Sequence, residues 1–231
     1  MNRTVHPVGP LPWDTIETVF LDMDGTLLDL HFDNVFFRET VPQAYAEKKS
    51  LSFDAARSEI LTIYKSCEGT LAWYDLDHWS RTLGMDIPRL KDRVAHLIGI
   101  RPHVLPFLDK LKQQQRSVTL VTNAHPYAVS LKFEKTGLGA WIPKIYCSHD
   151  LGYPKETREF WDALKMACDF NPEVTLLADD TEAVLLMAQD QGIAYPIHMA
   201  APSSTQPAVF SQRFPSIMDF REIMPPEPEL A

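Results

Sequence analysis

Cysteine is scarce. Three thiols, Cys67, Cys147 and Cys168, are scattered through 231 residues. That number and spacing exclude a disulfide framework and a zinc knuckle, and leave reduced, mostly buried thiols as the expectation. No run approaches the roughly 18 apolar residues that a membrane-spanning helix needs, so no membrane partner is expected. The opening stretch, MNRTVHPVGPLPW, lacks an apolar segment of secretory-signal length, and a cytoplasmic chain is the expectation. Positive charge is also short: 22 Lys and Arg face 31 Asp and Glu, a net charge of −9. A nucleic-acid-binding surface usually shows a basic patch, so the partners expected are small molecules or proteins. Internal repeats are lacking, and the one biased tract is the Pro-rich, acidic ending PPEPELA. The sequence carries no signal for an oligomeric state.

What is present is an ordinary globular composition, 45% hydrophobic and 23% charged, which excludes wholesale disorder and a coiled coil. A chain of this length buries roughly 70% of its unfolded surface, so a core can stand without disulfides. Short apolar runs of parallel-strand length occur at Thr18–Leu21, Val118–Val121, Lys144–Cys147, Val174–Ala178 and Ile193–Ile197. Helix-like stretches lie between them at His103–Gln115, Tyr127–Lys135, Glu156–Cys168 and Glu182–Gln191. This alternation predicts an α/β fold, a doubly wound parallel sheet. Residues 30–99 break the alternation, with helical patterning at Ala44–Lys49, Asp54–Tyr64 and Leu90–Leu97 and an aromatic segment, LAWYDLDHWS. They are expected to form a mostly helical cap inserted after the first strand. Residues 14–29 and 100–220 would be the catalytic core, and 221–231 a tail, its last seven residues frayed.

Polar groups collect after the expected strands, at the sheet edge where open α/β folds bind ligands. Asp22 and Asp24, in FLDMDGTLLD, are two carboxylates at i and i+2 that crowd one another unless a cation or shared proton compensates. Gly25 permits a tight departure of the chain, and Thr26 offers a hydroxyl. Thr122 and Asn123, in LVTNAHP, can bond a phosphate without adding charge, although both are also ordinary helix caps. His125 in the same segment is either a substrate contact or a loop histidine. Lys155, in GYPKE, is either solvated or the point charge that neutralises a carboxylate–phosphate pair. Asp179 and Asp180 end the most apolar strand, and an oxygen-only set points to Mg²⁺ rather than zinc.

In order and spacing, Asp22-x-Asp24-Gly25-Thr26, Thr122, Lys155 and Asp179–Asp180 resemble the four motifs of the haloacid dehalogenase-like hydrolases. The resemblance covers about residues 17 to 197, and the helical insertion matches that superfamily's cap. It implies Asp22 as the nucleophile and Asp24 as general acid, then base. It implies Mg²⁺ held by Asp22, the Asp24 carbonyl and Asp180, with Asp179 in support, and phosphoryl oxygens bound by Thr122, Asn123 and Lys155. An acid at Asp24 resembles the phosphatases rather than the dehalogenases, because an alkoxide leaving group needs a proton and a halide does not. The longer strings FLDMDGTLLDLHFDN, TLAWYDLDHWS and GYPKE are similar to the superfamily's bacterial purine 5′-nucleotidases. They imply a purine nucleoside monophosphate, GMP or IMP, as substrate.

Phe36, Trp73 and Trp79 are candidate surfaces for a purine, against the ordinary reading of aromatics as cap core. Asp33, Asn34, Asp75 and Asp77 are polar candidates for its edge, against a solvated surface. Alternatives to the nucleotidase are a sugar-phosphate phosphatase or phosphomutase with the same core, and a catalytically idle binding protein.

Overall fold

The computed structural model describes residues 8–227. Six strands run in parallel: β1 (Thr18–Leu21), β2 (Ser117–Thr122), β3 (Lys144–Cys147), β4 (Thr175–Asp179), β5 (Tyr195–Met199) and β6 (Ser216–Ile217). Their order is β3-β2-β1-β4-β5-β6, the doubly wound arrangement expected. β6 is only two residues long, too short for its hydrophobic pattern to be read in the sequence. β5 begins at Tyr195, two residues beyond the expected start, because Ala188–Ile193 closes the preceding helix with backbone bonds.

β1 is buried at every position, and apolar from Val19 on, because both faces of the sheet are covered. Val19 and Leu21 join one buried cluster with Phe107 and Leu111. Those two residues belong to α7 (Val104–Gln113), and α8 (Pro126–Thr136) covers the same face. Phe20 points to the opposite cluster, built on Phe160 and Trp161 of α10 (Arg158–Ala167) and Leu185 of α11 (Glu182–Asp190). The period-2 alternation of the strand thus survives as a choice between two apolar layers.

Between β1 and β2 lie α1 (His31–Val35), a π-helical turn at Phe36–Thr40, α2 (Val41–Lys49) and α3 (Phe53–Lys65). They are followed by α4 (Leu71–Tyr74), α5 (Leu76–Leu83) and α6 (Ile87–Arg93). This insert has its own buried cluster, including Phe36, Ile60, Trp79 and Leu83, to which Ala128 of α8 also belongs. α5 is strongly defined at both ends: Asp75 accepts from the Asp77 and His78 amides at 2.8 and 3.0 Å, and Gly84 ends it at φ +63°.

The tail boundary expected at 221 is corrected. Phe220–Ile223 form a 3₁₀ turn with a reciprocal Asp219/Glu222 capping box, and Phe220 stacks on Phe107 at 4.5 Å. Burial of Phe220 and Ile223 ties this turn to the core, a contact that the flanking prolines and acids mask. Of the seven residues expected to fray, the last four lie outside the described residues. Among the described residues, no helix is long and apolar enough to cross a membrane.

Candidate active site

Strand register decides which side chains meet. Leu21 is level with Leu120 of β2 and Ala178 of β4, so the three strands end within two residues of one another, at the same edge of the sheet. Asp22 extends the ladder by one bond, its amide donating to the Ala178 carbonyl at 3.0 Å. The structure thereby brings Asp22, Asp24, Thr122, Asn123, Lys155, Asp179 and Asp180 around one cavity of about 530 Å³. A second hollow of about 630 Å³ on the outside of the insert, lined by Glu39, Phe53 and Arg93, holds none of these groups.

Lys155 is the hub of the inner group. Its buried ammonium donates to Asp22 Oδ1 and Asp179 Oδ2, both at 2.6 Å, and to the Val121 carbonyl at 3.1 Å. Burial opposes its charge, but Asp179 and Asp22 outweigh that and hold the ammonium well above its ordinary range. Burial pushes the Asp22 carboxyl up to about 6, with Lys155 resisting and Asp179 adding to the rise. Asp180 is also raised well above the ordinary carboxylate range, by burial and then by the like charges of Asp179 and Asp22. Asp179 also accepts from the Thr181 amide at 2.9 Å, so both of its oxygens are engaged. The carboxylates of Asp22, Asp179 and Asp180 lie within 4.8 Å of one another. Gly25 permits this crowding: its φ is +81°, and a Cβ there would stand 2.5 Å from Asp180 Oδ2.

Asp24 faces the cavity from a second charge group that sequence reasoning missed. Lys132 of α8, fully buried, donates to Asp24 Oδ1 at 2.5 Å and to Asp33 Oδ2 at 2.7 Å. Lys91 of α6 donates to Asp33 Oδ1 at 2.8 Å and lies 4.4 Å from the Phe36 ring centroid. Burial and the Asp33 charge push Asp24 up to about 6 against the pull of Lys132. Asp33, buried between the two lysines, is drawn down to about 2. A signal for both was available. Lys132 shares a buried helix face with Ala128 and Val129, and Lys91 one with Ile87 and Leu90. A lysine on an apolar stripe needs a buried partner.

The other expected residues divide. The Thr122 hydroxyl oxygen accepts from the Ala124 amide at 3.1 Å, and its own proton is left for a ligand. Asn123 is taken up: its Oδ1 accepts from the Lys155 amide and its Nδ2 donates to Glu156, each at 2.9 Å. Glu156 also accepts from Tyr74 Oη of the insert at 2.7 Å. The Asn123 amide side chain therefore positions Lys155, and one of its two Nδ2 hydrogens is spent on Glu156. Thr26 is buried with its hydroxyl unpaired. His125 lines the cavity while its Nδ1 caps α8, accepting from the Tyr127 amide at 3.2 Å.

Phe36 is corrected: it lies in the insert's apolar cluster and does not line the cavity, because the π-helical turn directs Phe37 there instead. Trp73 and Trp79 both line it, but Trp79 is only 2% exposed and donates to the Trp73 carbonyl at 2.8 Å, so it is chiefly structural. Among the polar candidates, Asp33 is consumed by its lysines, and Asp75 spends one oxygen, Oδ1, on capping α5. Asn34 stays at the cavity with a buried, unpaired amide nitrogen, and Asp77 is exposed outside it.

Residues 16–192 match the family model described as haloacid dehalogenase-like hydrolase. The chain is 38% identical over 215 residues to the GMP/IMP nucleotidase YrfG of Escherichia coli (strain K12), covering 93% of this chain and 97% of that one. The Shigella flexneri protein of the same name matches equally. Among solved structures, the HAD phosphatase from Thermococcus onnurineus superposes with a TM-score of 0.74 at 19% identity, covering 90% of this chain and 95% of that one. At that identity the likeness shows the fold.

Proposed function

The chain belongs to the haloacid dehalogenase-like hydrolases and is a phosphatase; we propose that it is a Mg²⁺-dependent nucleotidase hydrolysing purine 5′-monophosphates, GMP and IMP foremost. The observation that carries the reading is Lys155 shared by Asp22 and Asp179 beside Asp180. Three carboxylates around one ammonium leave a buried excess of negative charge that a divalent cation matches. Oxygen-only donors fit a hard cation such as Mg²⁺. Asp22 and Asp180 would hold it with the Asp24 carbonyl, while Asp179, its oxygens committed, keeps Lys155 in place. When bound, the ion supplies charge that lowers the repulsion between nucleophile and phosphate.

Asp22 attacks phosphorus through a carboxylate oxygen, and the bond to the nucleoside oxygen breaks. Asp24 gives that oxygen its proton, then takes one from the water that hydrolyses the aspartyl phosphate, releasing inorganic phosphate and regenerating Asp22. An Asp24 carboxyl near 6 suits both duties, since the acid and base forms are then accessible around neutrality. Lys155 and Thr122 bind phosphoryl oxygens. Residues 14–29 and 100–220 act as the catalytic core, joined by the turn at 220–223. Residues 30–99 act as the cap that chooses the substrate. The substrates are free cytoplasmic nucleotides, with no nucleic-acid or membrane partner. The 38% identity to nucleotidases and the aromatic wall at Phe37 and Trp73 support the purine assignment.

Inorganic phosphate release with Mg²⁺ tests this over GMP, IMP, AMP and a hexose phosphate. GMP and IMP are expected to give the highest kcat/KM, and EDTA to stop release reversibly. Preference for the hexose phosphate overturns the purine assignment, and no release from any monoester overturns the enzymatic one.

A further inference from the structure

A second cluster of metal-ligating groups adjoins the cavity, which one of them, His125, lines. Asp75 begins α5 in the insert, His125 follows β2, and His149 lies in α9 (Ser148–Leu151), which follows β3. One ligand atom from each lies within 4.8 Å of the other two. The imidazoles meet edge to face, with centroids 4.9 Å apart. His149 Nε2 is buried and has no hydrogen-bond partner. Asp75 spends Oδ1 on the α5 amides, leaving Oδ2 with only the exposed Arg81 at 3.8 Å. None of these atoms enters the phosphoryl-transfer chemistry.

We propose that Asp75, His125 and His149 form a separate regulatory cation site that takes Zn²⁺ and ties the insert to the sheet edge. Two imidazoles and one carboxylate are a zinc-type donor set with a fourth position left for water. Tetrahedral bonds of about 2.0–2.1 Å set donor atoms ~3.3 Å apart. Closing from 4.8 Å or less is within the reach of side-chain rotation. Coordination through His125 Nε2 moves its proton to Nδ1 and releases the 3.2 Å contact to the Tyr127 amide, exchanging one helix cap for a metal bond. The ligands sort the ions: nitrogen selects Zn²⁺ here, whereas the oxygen-only site suits Mg²⁺. A bound ion would sit one residue beyond Tyr74, whose hydroxyl already reaches Glu156 of the core. It would add a second link across the cavity mouth, slowing opening and product release.

The full chain in saturating Mg²⁺ is titrated with Zn²⁺ against a chromophoric chelator, and in parallel with Co²⁺ followed by visible absorption. One equivalent is expected to bind, with Co²⁺ giving the intense bands of a four- or five-coordinate nitrogen-containing site. His149→Ala and Asp75→Asn should each weaken binding at least about 100-fold, in line with loss of a zinc ligand. Asparagine still caps α5, so Asp75→Asn stays folded, and circular dichroism checks His149→Ala. No equivalent beyond Mg²⁺, the weak spectrum of an all-oxygen site, or native-like binding by both variants overturns the site. Phosphate release, which rests on the phosphatase reading, is expected to slow in the zinc-loaded native chain and not in Asp75→Asn. Zinc-bound chain turning over at the native rate overturns the link to the insert while leaving the phosphatase reading intact.

Discussion

Two lysine–carboxylate groups meet at the cavity and are balanced differently. Around Lys155, one ammonium serves Asp22 and Asp179 beside Asp180. Around Lys132 and Lys91, two ammoniums serve Asp24 and Asp33. The first group lacks positive charge and invites a dication. The second is neutral overall and closed, so it fixes the position of Asp24 without competing for metal. A site that must hold a cation beside a proton-transferring carboxyl separates the two by giving each its own counter-charges.

The largest effect that would break this comparison falls on the first group. Asp22→Asn keeps the shape, removes the nucleophile and should lower phosphate release by at least about 10⁴-fold. Retention of a tenth of native turnover would take Asp22 out of that role.

Next comes the closed group. Lys132→Met leaves Asp24 and Asp33 with an unpaired buried charge, destabilising the fold by roughly 3–5 kcal/mol. It should also lower kcat by about 10²- to 10³-fold, because Asp24 loses its anchor. Adding Asp33→Asn restores the charge balance, so stability should recover while kcat stays low. If kcat recovers along with urea stability, Lys132 acts through folding alone.

A smaller effect concerns pH. Asp22 and Asp24 are raised to about 6 from 3.8, so each binds its proton more tightly in the folded chain. Their contribution is therefore full below about pH 4 and lost as pH rises through about 6. Metal-free chain should gain on the order of 1–3 kcal/mol on going from about pH 7 to about pH 4.5. Asp33, drawn down to about 2, acts in the opposite sense and only below that window. Urea unfolding of the native chain and of Asp22→Asn should show the flatter slope in the variant. A native chain that weakens over this range contradicts the shared origin of the two shifts in burial.

The same contrast explains what could be read from the residues alone. Asp22 follows β1, Asp179 ends β4 and Lys155 lies in the turn ahead of α10, where short-range spacing announces them, and β1 carries its burial in the apolar run after Thr18. Lys132 and Lys91 pair with Asp24 and Asp33 across 58 to 108 residues, so no local pattern records the partner. The position of Asn123 after β2 is visible in the sequence, whereas its bonds to Lys155 and Glu156 are made in three dimensions. Likewise Phe36 and Phe37 are adjacent in sequence, and only the π-helical turn decides which one faces the cavity.

The smallest expected effect tests the insert as the chooser of substrate. Trp73 lines the cavity, half-buried, with its ring set against Tyr64 at 5.6 Å, while Trp79 beneath it is closed in. A purine stacking on Trp73 gains about 1–3 kcal/mol. Trp73→Ala should therefore raise KM for GMP about 5- to 10-fold, the lower part of that range, because Phe37 remains on the same wall. Its kcat should be little changed, since the ring is absent from the phosphoryl machinery. Trp79→Ala should instead lose roughly 3–5 kcal/mol of stability through the cavity it leaves. Equal rises in KM for GMP and for a hexose phosphate in Trp73→Ala would show that the ring shapes the wall without reading the base.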